Sequence, residues 1–259
     1  MTEFVFPPAP PEPPKRRRVS RVLVVWIVVT LLGFGAAAYG LGTVVFGYRS
    51  YRVPGSAMSP ALEQGDSVIV RVLGGEEVHR GDVVMFDRSA YASPSQPGAS
   101  IFRVVAVAGD TVACCTAGGL SVNGKAVAET YLSQGAYAHD PLATTPFDTR
   151  VHDGQVFVLG DQRGNADDSR FRGVVRTSGI SGLVIATGTV FRPSPLARTS
   201  AFTDAGLPGA PFEDTTFSGL RWWLAGGVVV FAAGLVGVIV SAVRSAGRRR
   251  RAAAAPPVR

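Results

Sequence analysis

The chain has 259 residues, a formal net charge of +7 at pH 7 and a 46% share of hydrophobic residues. The positive charge does not indicate a nucleic-acid partner, because the basic residues crowd into two clusters that each border a long apolar run, a pattern typical of membrane topology signals. Its three histidines and two cysteines show no metal-ligand spacing. We therefore predict no metal, no cofactor and no nucleic-acid partner.

Two apolar runs predict transmembrane helices, because each is long enough to cross a bilayer core of roughly 30 Å. The first is longer than the apolar region of a cleaved signal peptide, the alternative, and so favours an uncleaved anchor. Arginine-rich flanks predict that both termini face the cytoplasm. The predicted organisation is a disordered Pro-rich basic tail (1–21), a transmembrane helix (22–46), an extracytoplasmic domain (47–192), a linker (193–218), a transmembrane helix (219–243) and a basic cytoplasmic tail (244–259).

Short Val/Ile-rich runs between the two apolar segments, separated by Gly, Asp and Pro, predict a mostly β domain. The predicted strands are Ser67–Val72, Val83–Phe86, Phe102–Val107, Thr111–Cys114, Gln155–Leu159 and Leu183–Val190. The Pro/Gly/Ser-rich stretch that follows predicts the linker. Cys114 and Cys115 are interpreted as strand-end residues on opposite faces, with a vicinal disulfide or an intermolecular link as alternatives.

Several motifs follow one another in a fixed order within this domain. They are the stretch from Pro54 to Asp66 (PGSAMSPALEQGD), RGDVVMF at 80–86, RVVAVAGD at 103–110, NG at 123–124, E-x-Y at 129–131 and VFVLGDQRGNADDSR at 156–170. In this order between two apolar runs, the chain resembles the type I signal peptidases, the membrane-bound Ser-Lys proteases that remove signal peptides. The resemblance implies a signal peptidase-like β domain outside the membrane.

The chain departs from this family at the positions that carry its chemistry. There a serine attacks the scissile carbonyl, a neutral lysine accepts its proton and a second serine orients the lysine. By resemblance these positions are Ala57, Phe102 and Ala166, and none of the three side chains can transfer a proton. Residues expected to line the peptide-binding segment are Gly55, Ser56, Met58 and Pro60. The motif residues given a structural role are Gly160, Asp161, Arg163, Asp168, Ser169 and Arg170.

The resemblance leaves three functions open. The favoured one is an impaired peptidase in the bacterial cell membrane, in contact with lipid, that binds signal peptides or preproteins or assists an active signal peptidase. The second is an active signal peptidase with Ser56 as a displaced nucleophile, although Ser56 would face away from Ala57 in an extended segment. The third is an anchored β domain that serves assembly. Lys125, after an Asn-Gly turn, is expected to be exposed and not to act as the base.

Overall fold

The structure, a computed structural model, describes residues 20–253 except 76, 94–95, 116–118, 134–135, 137–140 and 191. Residues 1–19 of the predicted N-terminal tail and residues 254–259 of the predicted C-terminal tail therefore lie outside the described residues. The chain divides into two compact units. One contains the residues up to Tyr39 and from Trp222 onward, and the other contains residues 40–221.

Long helices occur near both ends of the chain, and strands fill most of the region between them. The helices are α1 (Arg21–Gly47), α2 (Ser169–Arg172), α3 (Ala201–Asp204) and α4 (Thr215–Ala253). The strands are β1 (Tyr48–Arg52), β2 (Ser67–Val72), β3 (Val83–Asp87), β4 (Ala99–Ala106), β5 (Thr111–Cys114), β6 (Ser121–Val122), β7 (Lys125–Ala126), β8 (Phe147–Arg150), β9 (Gln155–Leu159), β10 (Val175–Arg176), β11 (Ile180–Thr189) and β12 (Arg192–Pro195).

Helices α1 and α4 are both long and apolar enough to cross a membrane, by length and composition. Within the first unit they approach each other closely at glycines. A Cβ atom on Gly234 would lie 2.6 Å from Thr30 Oγ1, and one on Gly227 would lie 2.5 Å from the backbone nitrogen of Ala37. Side chains never come this close, so these contacts depend on glycine, as is common where membrane helices pack.

The second unit contains two antiparallel sheets. The larger sheet has the order β1-β2-β11-β3-β4-β9-β10, with β12 paired to β11, and the smaller has the order β7-β6-β5-β8. Fully buried valines from neighbouring strands, such as Val68, Val84, Val104 and Val158, form the main core, and burial of each such side chain contributes about 1.5–3 kcal/mol. The prediction of a mostly β domain flanked by two long apolar helices is confirmed.

The segment predicted as a linker, residues 193–218, contains ordered structure. It holds most of β12 and all of α3, and Phe202 and Leu207 are buried in a second core cluster. The backbone N–H of Phe212 donates to the buried carboxylate of Asp82 at 2.7 Å. Composition suggested a linker because proline, glycine and serine recur along the segment, whereas the apolar residues that anchor it are scattered.

The cysteine pair also differs from the favoured interpretation. Cys114, the last residue of β5, and Cys115 are joined by a vicinal disulfide rather than standing unbonded on opposite faces of a strand. This bond links sequence neighbours, so it does not close a long loop between distant parts of the chain.

Candidate functional site

Three separate segments bring Ala57, Phe102 and Ala166 together around Gly160. A Cβ atom on Gly160 would collide with the methyl group of Ala166, and it would lie 2.7 Å from the carbonyl oxygen of Ala57 and 3.4 Å from Cε1 of Phe102. Only glycine fits at such a close approach. We call these four residues the Gly160 site.

The side chains of the Gly160 site are two methyl groups and one phenyl ring. Phe102 is 5% exposed and Ala166 is 7% exposed, and the Phe102 ring packs against Phe86 with ring centroids 6.1 Å apart. The residues that form the site contribute no hydroxyl, amine, imidazole or carboxyl group. The site is therefore apolar and largely buried, and its own side chains cannot take up or release a proton.

Backbone hydrogen bonds hold Ala57 in place. The N–H of Gln162, from the segment after β9, donates to the Ala57 carbonyl at 3.0 Å. The N–H of Ser59 donates to the Ser56 carbonyl at 3.0 Å, so the chain turns here. The segment is not extended, and the alternation argument that pointed Ser56 away from the site does not apply.

The residues predicted to line a peptide have different environments. Gly55 and Ser56 are half-buried and Pro60 is exposed, whereas Met58 is 1% exposed and packs in the main core. Met58 therefore anchors the segment to the main core, and its side chain is not available to contact a peptide.

Ser56 lies beside the Gly160 site and its hydroxyl accepts a hydrogen bond from the side-chain amide of Asn165 at 3.0 Å. An amide N–H donates and cannot accept the proton of a serine. Within the described part of the chain, Ser56 has no other side-chain partner. The ammonium of Lys125 instead donates to the Gly206 carbonyl at 2.6 Å, and His79 Nδ1 lies 3.8 Å from the carboxylate of Asp82.

Three buried arginine–carboxylate pairs lie next to the site. In each pair both side chains are at most 4% exposed, and the pairs are Arg103–Asp161, Arg163–Glu129 and Arg170–Asp168. They hold Gly160 from both sides, because its N–H donates to Asp168 at 3.0 Å and its carbonyl accepts from Arg163 Nε at 2.9 Å. Ser169 adds a further bond, since its hydroxyl accepts from the N–H of Val158 at 3.0 Å.

Arg103 and Glu129 have roles that the sequence analysis did not assign. Burial disfavours the charge of Arg103, but two hydrogen bonds to Asp161 raise the pKa of the guanidinium above its usual value. The same guanidinium lies 4.5 Å from the ring centroid of Tyr131. Burial and the nearby Glu129 raise the pKa of Tyr131, whose hydroxyl donates to Glu129 at 2.6 Å. The E-x-Y motif at 129–131 was the sequence signal for the contact between Glu129 and Tyr131.

One strand edge beside the site has a neighbour on one side only. Strand β4 pairs with β3 over 99–103, but its pairing with β9 starts at Arg103. The stretch from Ala99 to Phe102 thus has no second strand partner among the described residues. In contrast, β2 pairs with β1 on one side and with β11 on the other.

Comparison with known proteins identifies the family. Residues 23–188 match the family model for signal peptidase, peptidase S26. The chain is 28% identical over 183 residues to a probable signal peptidase I-2 of Synechocystis, covering 69% of this chain and 78% of that protein. It is 34% identical over 150 residues to a signal peptidase I of Bacillus caldolyticus, covering 54% and 79%.

A crystal structure of a signal peptidase I from Enterococcus faecalis aligns with 26% sequence identity and a TM-score of 0.35, covering 42% of this chain and 97% of the other. The family-model match extends over more than half of the chain and contains the whole Gly160 site. The family predicted from the order of the motifs is confirmed, and this protein belongs to the signal peptidase family, peptidase S26.

Proposed function

We propose that this protein binds signal peptides or preproteins at the Gly160 site and does not cleave them. The observation that carries the proposal is the composition of the site, where Ala57, Phe102 and Ala166 surround Gly160. Hydrolysis by a serine nucleophile requires a hydroxyl and a base within hydrogen-bond reach of each other. The site side chains offer neither.

Peptide binding does not need the missing groups. A peptide that adds to a sheet edge gains affinity from backbone hydrogen bonds and specificity from side-chain pockets. The singly paired stretch Ala99–Phe102 supports such binding, because it carries Phe102 into the site. The apolar side chains of the Gly160 site suit a peptide that places a small residue against them. Strand β2, paired on both sides, is a poor alternative.

The proposed location is the bacterial cell membrane, with two transmembrane helices and the β domain on the outer face. The apolar helices α1 and α4 and membership of the family support it. In this setting the protein contacts lipid and meets preproteins at the membrane, and it can assist an active signal peptidase by holding a substrate.

The test is a binding and cleavage assay on the full chain in detergent micelles. A photo-crosslinker placed at Ser100 should capture an apolar Ala-x-Ala signal peptide in a saturable manner, and mass spectrometry should find the peptide intact. The same crosslinker at Ser50, on β1 at the far edge of the sheet, is the control and should give no saturable product. If neither position shows saturable capture, the assembly role is favoured and the proposal is wrong.

The second candidate is an active signal peptidase that uses Ser56. It is favoured by the half-buried hydroxyl of Ser56 next to the site, and it lacks an identified base. Cleavage by the wild type that disappears in Ser56→Ala, with folding unchanged, would establish this candidate in place of the first.

A further inference from the structure

Strand β8 forms one edge of the smaller sheet. It pairs with β5 on one side, where Thr149 lies opposite Val112, and among the described residues no strand lies on its other side. Its side chains alternate, since Phe147 and Thr149 are half-buried whereas Asp148 and Arg150 are exposed. An edge of this kind leaves backbone N–H and carbonyl groups with which a further strand can pair.

The hydrogen bonds of Val151 show which backbone groups of β8 face the open edge. Its N–H donates to the Asp110 carbonyl at 2.8 Å, and its carbonyl accepts from the N–H of Gly109 at 2.9 Å. The backbone groups of Val151 therefore point toward the β5 side, and successive residues of an antiparallel strand point theirs to alternate sides. The N–H and carbonyl groups of Asp148 and Arg150 consequently face the open edge.

The charges on this edge are self-complementary. If two copies of β8 run antiparallel about a two-fold axis at Thr149, Asp148 of each copy lies opposite Arg150 of the other. These are hydrogen-bonded positions of the ladder, because both residues point their backbone groups toward the partner. Opposite charges that face each other across two strands stabilise the pairing, and so do paired threonines. The same surface of each copy therefore satisfies the other, as a two-fold contact requires.

Asp148 and Arg150 are free to make this contact. Within the part of the chain that the structure describes, neither side chain takes part in an ion pair or a side-chain hydrogen bond. The other described strands with a single strand partner throughout, β1, β7, β10 and β12, carry positive charges only, namely Arg49, Arg52, Lys125, Arg176 and Arg192. Like charges that face each other across strands are destabilising, so β8 is the edge best suited to pair with itself.

We propose that β8 is a contact surface for a second copy of this chain, in which the two β8 strands pair antiparallel about Thr149 and join the two smaller sheets. Pro146, the residue before β8, has no N–H and so ends the ladder after this short stretch. The contact is therefore small, and the dimer forms reversibly. The inference does not depend on whether the Gly160 site binds or cleaves peptides.

The test is disulfide trapping of the full chain in detergent micelles. The background variant is Cys114→Ala/Cys115→Ala, which removes the natural disulfide. The reporter is Thr149→Cys, because Thr149 would face its own counterpart at a Cα distance of ~4.5 Å, within the range that a disulfide spans. Mild oxidation should give a covalent dimer on a non-reducing gel. Ser50→Cys, on the exposed edge strand β1, is the matched control and should remain monomeric.

Charge reversal in the reporter chain distinguishes this contact from any other. Asp148→Arg alone and Arg150→Asp alone place like charges opposite each other, and each should reduce the trapped fraction about tenfold. Glu77→Arg, which reverses an exposed charge away from this edge, should leave the trapped fraction unchanged. The swapped variant Asp148→Arg/Arg150→Asp again has opposite charges face to face and should restore trapping.

A mixture of the two single variants gives the sharpest result. Copies with Asp148→Arg present two arginines and copies with Arg150→Asp present two aspartates, so differently tagged copies should form heterodimers although neither forms homodimers. Misfolded variants could not give this outcome. Equal trapping in the reporter chain, both single reversals and the mixture would show that the β8 charges do not make the contact. Absence of any trapped dimer with Thr149→Cys would overturn the proposal outright, and either result leaves the proposed function untouched.

Discussion

At the residue scale, the three side chains of the Gly160 site can be replaced one at a time to test whether cleavage activity is restored. Ala57→Ser alone should give no cleavage, because a hydroxyl without a base is a poor nucleophile at neutral pH, and Phe102→Lys alone supplies no nucleophile. Together they should give weak cleavage, since groups that act as a unit contribute non-additively. Burial at position 102 should lower the pKa of the new lysine, as the mechanism requires.

Adding Ala166→Ser should increase the cleavage further, because its hydroxyl can orient the lysine. Mass spectrometry of a signal-peptide substrate incubated with the wild type and each variant is the measurement. A folded triple variant with no activity would show that the groove has diverged as well. Wild-type protein as active as the triple variant would overturn the proposal of binding without cleavage.

Gly160 offers a second prediction at this scale. Gly160→Ala places a methyl group against Ala166 and 2.7 Å from the Ala57 carbonyl, so it should lower the free energy of unfolding by about 1–3 kcal/mol and weaken peptide binding. The matched control is Gly119→Ala, since a Cβ atom at Gly119 meets nothing within 4 Å. Urea unfolding in detergent measures the difference, and equal stability of the two variants would contradict the prediction.

The carboxyl group of Asp82 is buried, and this position affects its pKa. Burial raises the pKa of Asp82 above its usual value, although the backbone N–H groups of His79 and Phe212 act in the opposite direction. The folded state therefore binds the proton of this carboxyl more tightly than the unfolded chain does. Its contribution to stability is present at acid pH and is lost as pH rises through the pKa of the folded protein.

We expect the stability advantage of the wild type over Asp82→Asn to shrink as pH rises from about 4 to 8. Urea unfolding of both proteins across this range is the measurement. The same comparison should be repeated with both proteins carrying His79→Gln, which removes the imidazole whose Nδ1 lies 3.8 Å from the Asp82 carboxylate. An advantage that stays constant or grows with pH would contradict the prediction.

At the element scale, the sequence predicted strands well where the apolar pattern was strong. The bounds of β2, β5 and β9 agree with the predicted ranges, because buried valines and clear turn residues delimit them. Strand β1 was missed because four of its five residues are exposed. Strand β12 was missed because prolines occupy two of its pairing positions, and proline normally argues against a strand unless the strand has a single partner. The meeting of Ala57, Phe102 and Ala166 could be predicted only through the family resemblance, since tertiary packing alone joins them.

The contact between α1 and α4 can be tested with a pair of glycines. Gly234→Leu should separate the helices, because a Cβ atom there would lie 2.6 Å from Thr30 Oγ1, and small residues allow such close packing. Gly226→Leu is the matched control, since nothing lies within 4 Å of that position. Disulfide trapping between cysteines placed at Phe34 and Phe231, whose rings are 6.2 Å apart, should fail with Gly234→Leu and proceed with Gly226→Leu. Equal trapping in both would refute the helix contact.

At the scale of the whole molecule, we predict that both termini face the cytoplasm. The basis is the position of the arginine clusters outside the two apolar runs. A reporter that is active only outside the membrane should be silent when fused after Arg259 and active when inserted after Gly119. Activity at the C-terminal fusion would exclude this topology.

The buried ion pairs beside the Gly160 site affect how such a chain can change over generations. Replacing one member of a buried pair costs several kcal/mol, while replacing both with apolar residues is often neutral. A chain that loses Arg103–Asp161, Arg163–Glu129 or Arg170–Asp168 one residue at a time therefore passes through an intermediate of low stability. Ala57, Phe102 and Ala166 carry no charge, so a change at one of them leaves no buried ion without its partner. If the protein binds without cleaving, as we propose, this coupling would preserve the Asp/Arg motif even though the Gly160 site has no catalytic groups.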